Sequence, residues 1–122
     1  MIRVMRYYYQ WSPEQRLDAD KLVKQAIAEG KLPNPNTQPC VICGTQYGLR
    51  HYHQEDYTPE HIVENSMCVC AKCHAVIHTR WWHMQAYREY MRSKKNGEKY
   101  MQMFDEYERK FREAGGVDPA RK

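Results

Sequence analysis

The sequence has no long apolar run. No stretch approaches the ~20 apolar residues of a membrane helix. The opening residues, MIRVMRYYYQW, contain no apolar run of ~7 or more, so they do not predict a secretory signal. Phe occurs only twice and Leu, Ile and Val are sparse, whereas there are ten Tyr and seven Met. We therefore expect a soluble, cytoplasmic protein without a membrane partner, whose modest aromatic core gains from a metal.

The sequence also lacks the even number of cysteines that a disulfide framework normally uses, because it has five. Cys40 and Cys43 form one Cys-x-x-Cys pair, and Cys70 and Cys73 form a second pair 26 residues later. Two thiolates on one tight turn can reach the same tetrahedral ion, so the pairs predict a structural Zn²⁺ site in a reducing compartment. Cys68 could compete with Cys70, although the spacing favours Cys70.

Charge is unevenly distributed. The net charge is +4, and residues 80–122 carry the whole excess, with eleven Lys and Arg against seven Asp and Glu. A basic C-terminal segment suits contact with nucleic-acid phosphates, although an ordinary solvated helix face has the same composition. The candidate phosphate-binding residues are Arg80, Arg88, Arg92, Lys94 and Lys95.

The residue pattern predicts one domain of residues 1–122, mostly helical. Residues 1–39 form an N-terminal arm and helix, residues 40–80 a central module and residues 81–122 C-terminal helices. Residues 1–11 favour a strand or extended arm. Ser12, Pro13 and Gln15 predict the start of a helix over 12–29, with Leu17, Leu22, Val23, Ala26 and Ile27 as its apolar stripe. Residues 31–39 are a linker, residues 71–95 one or two helices, and residues 98–114 a last helix that ends at a Gly pair.

Histidines follow the cysteines closely in residues 40–78, which read CVICGTQYGLRHYHQEDYTPEHIVENSMCVCAKCHAVIH. His51 and His53 share one face of a predicted strand. Asn65 precedes the second cysteine pair, and His74 and His78 stand one helical turn apart, so they can hold one ion together. This pattern resembles the zinc-bearing four-cysteine HNH endonucleases, also called ββα-metal or His-Me finger nucleases. The resemblance covers about a third of the chain.

The resemblance implies an α+β fold in which a β-hairpin and a helix form a small ββα-metal finger. It also implies an endonuclease that nicks or cuts double-stranded DNA with Mg²⁺ or another divalent ion. His53 is the expected general base, with His51 as the competitor, and Asn65 is expected to orient that base. His74 and His78 would bind the catalytic ion. The residue before the base is usually Asp or His in this family, but here it is Tyr52 or Arg50.

A second function class remains open. The same residues would suit an HNH-like zinc module without useful catalysis that binds nucleic acid or a protein partner through its basic helices. Small phage and mobile-element proteins are often of this kind, so we expect a phage or bacterial origin. A module of this size leaves little surface for reading bases, and a protein partner could supply specificity.

Overall fold

The structure is a computed structural model, and it describes residues 11–113. Two short strands and four helices follow in the order α1, β1, β2, α2, α3, α4, with single 3-10 turns at Pro35–Thr37 and Pro59–His61. The element bounds are α1 Pro13–Ala28, β1 Arg50–His53, β2 Met67–Cys70, α2 Ala71–Thr79, α3 Met84–Arg92 and α4 Gly97–Glu113. Apart from Trp11, the expected strand or extended arm at residues 1–11 lies outside the described residues, as does the Gly pair that was expected to end the last helix.

Helix α1 begins where the sequence predicts. The Ser12 hydroxyl accepts a hydrogen bond from the Gln15 amide at 3.1 Å, and the Gln15 side-chain oxygen accepts one from the Ser12 amide at 2.8 Å. This reciprocal capping box satisfies two of the amides that a helix start leaves unpaired. The chain leaves the helix at Gly30, which has a φ of +78°.

The buried face of α1 differs from the predicted stripe. Ala19, Val23 and Ala26 are the buried residues, whereas Leu17 is 43% exposed. Small side chains at the contact let the helix lie close to the rest of the molecule. The prediction that Leu17 belongs to the core is therefore wrong.

The two strands pair antiparallel, and α2 follows β2 without a break. In the register His51 faces Val69 and His53 faces Met67. Both histidines therefore lie on one face of β1, since alternate residues of a strand share a face. The observed β-β-α order is consistent with a small ββα fold of the α+β class, which the resemblance implied. None of the helices within residues 11–113 is long and apolar enough to span a membrane.

The region predicted as one or two helices contains two. The amides of Trp82 and His83 both bond to the Thr79 carbonyl, and α3 starts only after this turn. The Asn96-Gly97 pair favours the end of a helix, but Gly97 is instead the first residue of α4. A Cβ at Gly97 would lie 1.8 Å from the Met91 carbonyl oxygen, so this turn requires a glycine.

Buried residues form two clusters. The first surrounds the cysteines and joins the hairpin to α2, α3 and α4, with Ile42, Val69, Ile77, Tyr87, Met91, Met101 and Phe104 at its centre. The second lies under α1 and consists of Ala19, Val23, Ala26, Leu32, Tyr57, Ile62 and Phe111. The histidines of β1 and α2 lie between elements that these two clusters hold in place.

Candidate metal centres

Four cysteine side chains converge beside the hairpin. The sulfurs of Cys40, Cys43, Cys70 and Cys73 all lie within 4.8 Å of one another, and the Sγ atoms of Cys43 and Cys70 are 3.8 Å apart. Four thiolates bonded at ~2.3 Å to one tetrahedral ion lie about 3.8 Å apart. All are free thiols rather than disulfides. The cluster therefore has the composition and spacing to hold an ion such as Zn²⁺.

The first cysteine pair sits on a tight turn that the backbone closes. The Cys40 amide bonds to the Thr45 carbonyl at 2.9 Å, and the Gly44 amide bonds to the Cys40 carbonyl at 2.8 Å. Gly44 has a φ of +79°, which most other residues avoid. The Val41 amide bonds to the Cys68 carbonyl at 2.9 Å and so ties the turn to β2.

The second cysteine pair joins strand to helix. Cys70 ends β2 and caps α2, because its sulfur accepts a hydrogen bond from the Cys73 amide at 3.4 Å. The hydrogen bond between the Cys40 and Cys73 sulfurs lowers the pKa of the Cys40 thiol and raises that of the Cys73 thiol. This contact therefore favours a thiolate at Cys40 beside a thiol at Cys73.

The fifth cysteine lies apart from this cluster. The Cys68 thiol is buried and donates to the Pro35 carbonyl at 3.4 Å. Cys68 lies outside the group of four sulfurs that converge. The structure therefore places Cys70, rather than Cys68, beside the first pair.

Tyr90 of α3 extends the surroundings of the thiols. Its hydroxyl lies 3.1 Å from the Cys73 sulfur. The ammonium groups of Lys72 and Lys94 lie 5.9 and 4.8 Å from the centre of the Tyr90 ring. A hydroxyl donor and two cations suit the negative charge that four thiolates around one divalent ion would carry.

Three histidines form a second cluster on the other side of α2. One ring nitrogen each of His53, His74 and His78 lies within 4.8 Å of the others. The Nε2 atoms of His74 and His78 are 3.0 Å apart. Imidazoles bonded at ~2.1 Å to one ion place their nitrogens about 3 to 3.4 Å apart, so the spacing fits a shared ion.

Burial keeps the imidazoles of His74 and His78 neutral. Burial, with the neighbouring His53 acting in the same direction, lowers the pKa of His74 to about 3 and that of His78 to about 2. A neutral imidazole is the form that binds a metal. The two helix histidines are therefore in the metal-binding form throughout the neutral pH range.

The histidine cluster opens into a cleft of about 400 Å³. One wall is the hairpin, with the exposed His51, whose ring centre is 5.7 Å from that of His74. The other wall is α1, which supplies Arg16, Asp20 and Lys24. The N-terminal helix, for which the sequence suggested no role at the site, therefore completes it.

A buried carboxylate, which sequence reasoning missed, contacts the cluster. Glu55 Oε2 is 2.5 Å from His53 Nε2, and Glu55 Oε1 accepts from Arg80 at 2.8 Å. The side chains of all three are at most 2% exposed. The only sequence signal for Glu55 is its position two residues after His53. Arg80, predicted to contact phosphate, is buried beneath the site and is not placed to do so.

The remaining predicted residues lie away from the histidines. Asn65 lines a different cleft together with Glu55, Glu64 and Tyr100, and it is not among the residues of the histidine cleft. Neither the histidine cluster nor its cleft includes the other basic candidates Arg88, Arg92, Lys94 and Lys95. Arg88 instead pairs with Asp105 across α3 and α4 at 3.5 Å. The structure therefore separates these residues from the histidine cluster.

Known proteins offer no guide. Comparison of the chain with family models, with curated proteins and with solved structures finds no match. The chemistry of the two clusters is therefore the basis for assigning a function.

Proposed function

We propose that the chain is a metal-dependent endonuclease of the HNH type that hydrolyses phosphodiester bonds in DNA. One observation carries the proposal: three histidine nitrogens converge within 4.8 Å at a cleft that also holds another histidine and basic side chains. Structural zinc in the cysteine cluster would hold the hairpin and α2 in position. The histidines, rather than the cysteines, are the groups available for chemistry.

The donor set argues for the kind of ion. His53, His74 and His78 offer three nitrogen ligands, which suit Zn²⁺ or Ni²⁺, whereas Mg²⁺ prefers oxygen ligands. When bound, such an ion would stabilise the negative charge that develops on the phosphate and on the leaving oxygen. We therefore expect activity with Ni²⁺, Zn²⁺ or a similar ion to exceed that with Mg²⁺.

We assign the general base to His51 rather than to His53. The His53 side chain is 1% exposed and one of its nitrogens contacts Glu55, so it has little access to water. His51 is exposed on the same strand face and lines the cleft. The His51 imidazole would take a proton from the attacking water as its oxygen bonds to phosphorus. The bond from phosphorus to the leaving oxygen breaks, and that oxygen takes a proton from solvent.

The α1 wall would bind the substrate backbone. Arg16 and Lys24 face the cleft, and Lys24 also forms an exposed pair with Asp20 at 3.0 Å. Cations that line the same cleft as the histidines can hold phosphates next to the one that is cut. Contacts of this kind carry no base information, which fits an enzyme with loose sequence preference.

The test is plasmid nicking by protein that already contains zinc in its cysteine cluster. We expect supercoiled DNA to be nicked only after Ni²⁺, Zn²⁺ or Mn²⁺ is added, and EDTA to stop the reaction. His51→Ala should lower the rate by about 100-fold or more. His83→Gln, which changes an exposed histidine outside the cleft, should leave it unchanged.

Each outcome has a separate meaning. The absence of ion-dependent nicking by wild-type protein would refute the proposed endonuclease activity. If that protein still bound DNA and a second ion, the result would favour the non-catalytic nucleic-acid-binding module. Equal nicking by His51→Ala and wild type would refute only the assignment of the base.

A further inference from the structure

A buried chain of three side chains links the two halves of the histidine cluster. His53 is the last residue of β1, whereas Arg80 caps the C-terminal end of α2, which carries His74 and His78. Glu55 lies between them, 2.5 Å from His53 Nε2 and 2.8 Å from an Arg80 nitrogen. The carboxylate therefore joins the strand part of the site to the helix part.

The carboxylate determines which nitrogen of His53 carries the proton. An ionised carboxylate only accepts hydrogen bonds, so Nε2 of a neutral His53 must be the donor. Its Nδ1 then carries the lone pair that a metal needs. The His53 ring also packs edge-on against Phe104, His74 and His78, which limits its rotation.

Arg80 holds the carboxylate in turn. It donates to Glu55 and to the Ile77 carbonyl at 3.1 Å, and its guanidinium lies over the rings of Trp81 and Phe104. A buried carboxylate without a cation would tend to take up a proton and lose its accepting role. Arg80 supplies that cation at Oε1 of Glu55, while Oε2 contacts His53.

We propose that Glu55, held by Arg80, is a positioning residue that fixes His53 as a metal ligand in its Nε2-protonated form. The proposal rests on the metal site of the proposed function, and it gives that site a group that neither the sequence pattern nor the resemblance supplies. A metal-binding histidine whose other nitrogen donates to a carboxylate is a common arrangement, and loss of the partner weakens metal binding by about 10- to 100-fold.

The first experiment measures binding of Ni²⁺ by calorimetry to protein already loaded with zinc at the cysteines. Glu55→Gln should weaken binding by about 10- to 100-fold. His53 and Arg80 contact different oxygens of the carboxylate, and Gln has an oxygen at only one of these two positions. Either His53 or Arg80 would therefore face the amide nitrogen, which is itself a donor. Glu60→Gln, an exposed change in the same loop, is the matched control and should bind like wild type.

A second variant separates positioning from folding. Glu55→Gln leaves Arg80 buried without its anion, which can destabilise the fold. The double change Glu55→Gln and Arg80→Met removes both charges, so it should recover thermal stability but not Ni²⁺ affinity. Recovery of both would show a purely structural pair and overturn the proposal.

The tautomer of His53 gives a readout that does not depend on the metal. In the metal-free histidine site, nitrogen NMR of the imidazoles should show His53 protonated at Nε2 in wild type and as a mixture of tautomers in Glu55→Gln. Wild-type Ni²⁺ affinity in Glu55→Gln, or an unchanged tautomer, would overturn the proposal. Wild-type protein that binds no second ion would instead refute the proposed function, while the tautomer would still report on Glu55.

Discussion

Removal of the first cysteine pair should unfold the half of the molecule that surrounds it. Cys40→Ser with Cys43→Ser deletes two of four ligands, and structural zinc contributes about 10–16 kcal/mol to folding at neutral pH. A domain of this size has a free energy of unfolding of about 5–15 kcal/mol. The loss is therefore as large as the whole stability. We call the four cysteines Cys40, Cys43, Cys70 and Cys73 the clamp. The buried residues around them include Ile42, Ile77 and Phe104, whose packing depends on the position of the clamp.

The chain contains its own control for this experiment. Cys68 is buried like Cys40, Cys70 and Cys73, yet its thiol donates to a backbone carbonyl rather than joining the cluster. A serine hydroxyl can make the same donation. Cys68→Ser should therefore keep its zinc and lose only about 1 kcal/mol of unfolding free energy.

Metal content and tertiary structure together decide the outcome. After weakly bound ions are removed on a chelating resin, wild type and Cys68→Ser should each retain about one zinc per chain, as expected for one four-cysteine site. The Cys40→Ser and Cys43→Ser protein should retain none and lose its near-ultraviolet circular dichroism. Cobalt should give thiolate charge-transfer bands in the first two only. Full zinc occupancy in the double variant, or loss of zinc in Cys68→Ser, would refute the assignment of the four clamp cysteines as the zinc ligands.

Three further predictions address the surroundings of the sites. Arg16→Gln should weaken DNA binding and reduce its salt slope by about one, whereas Arg92→Gln, away from the cleft, should not. Equal salt slopes for the two variants, measured by fluorescence anisotropy, would contradict the binding of phosphates by α1. Tyr90→Phe, which removes a hydroxyl 3.1 Å from a clamp sulfur, should speed zinc transfer to a coloured chelator by about 10-fold; an unchanged rate would rule out that role. Burial lowers the pKa values of His74 and His78 below the ordinary 6.5. Near and below pH 6.5, the unfolded chain therefore binds more protons than the folded chain. With zinc at the cysteines only, the unfolding free energy should therefore fall by about 2 kcal/mol between pH 6.5 and 5.5 in urea titrations, and replacing both histidines with Gln should remove the fall.

Features that depend on neighbouring residues could be predicted from the sequence. The Ser12 to Gln15 capping box forms as predicted, because all its partners lie within one turn. The two cysteines within each Cys-x-x-Cys pair lie close together as expected, because they share a turn. Gly97 shows the limit of such reasoning. A glycine after asparagine commonly ends a helix, but here contact with the Met91 backbone determines its place at the start of α4.

Features that depend on distant contacts could not be predicted. Residues 67–70 carry no strand pattern of their own, and β2 forms because it pairs with β1 and with the cysteine turn. Glu55 and Arg80 are residue types that are rarely buried, so composition assigns both to the surface. They are 25 residues apart, and their ion pair forms only when the chain is folded. For the same reason no pattern placed α1 opposite the histidines.

Helix α2 makes the two candidate metal centres unequal. Cys73 and His74 are adjacent, so their side chains leave the helix about 100° apart and reach different centres. Cys70 caps the start of the helix, and the clamp therefore sets the position from which both histidine ligands extend. Loss of the clamp should abolish ion binding at both centres, whereas replacement of His74 should leave the zinc in place. This one-way dependence follows because the cysteines hold α2 to the hairpin, while the histidines use a helix that is already held.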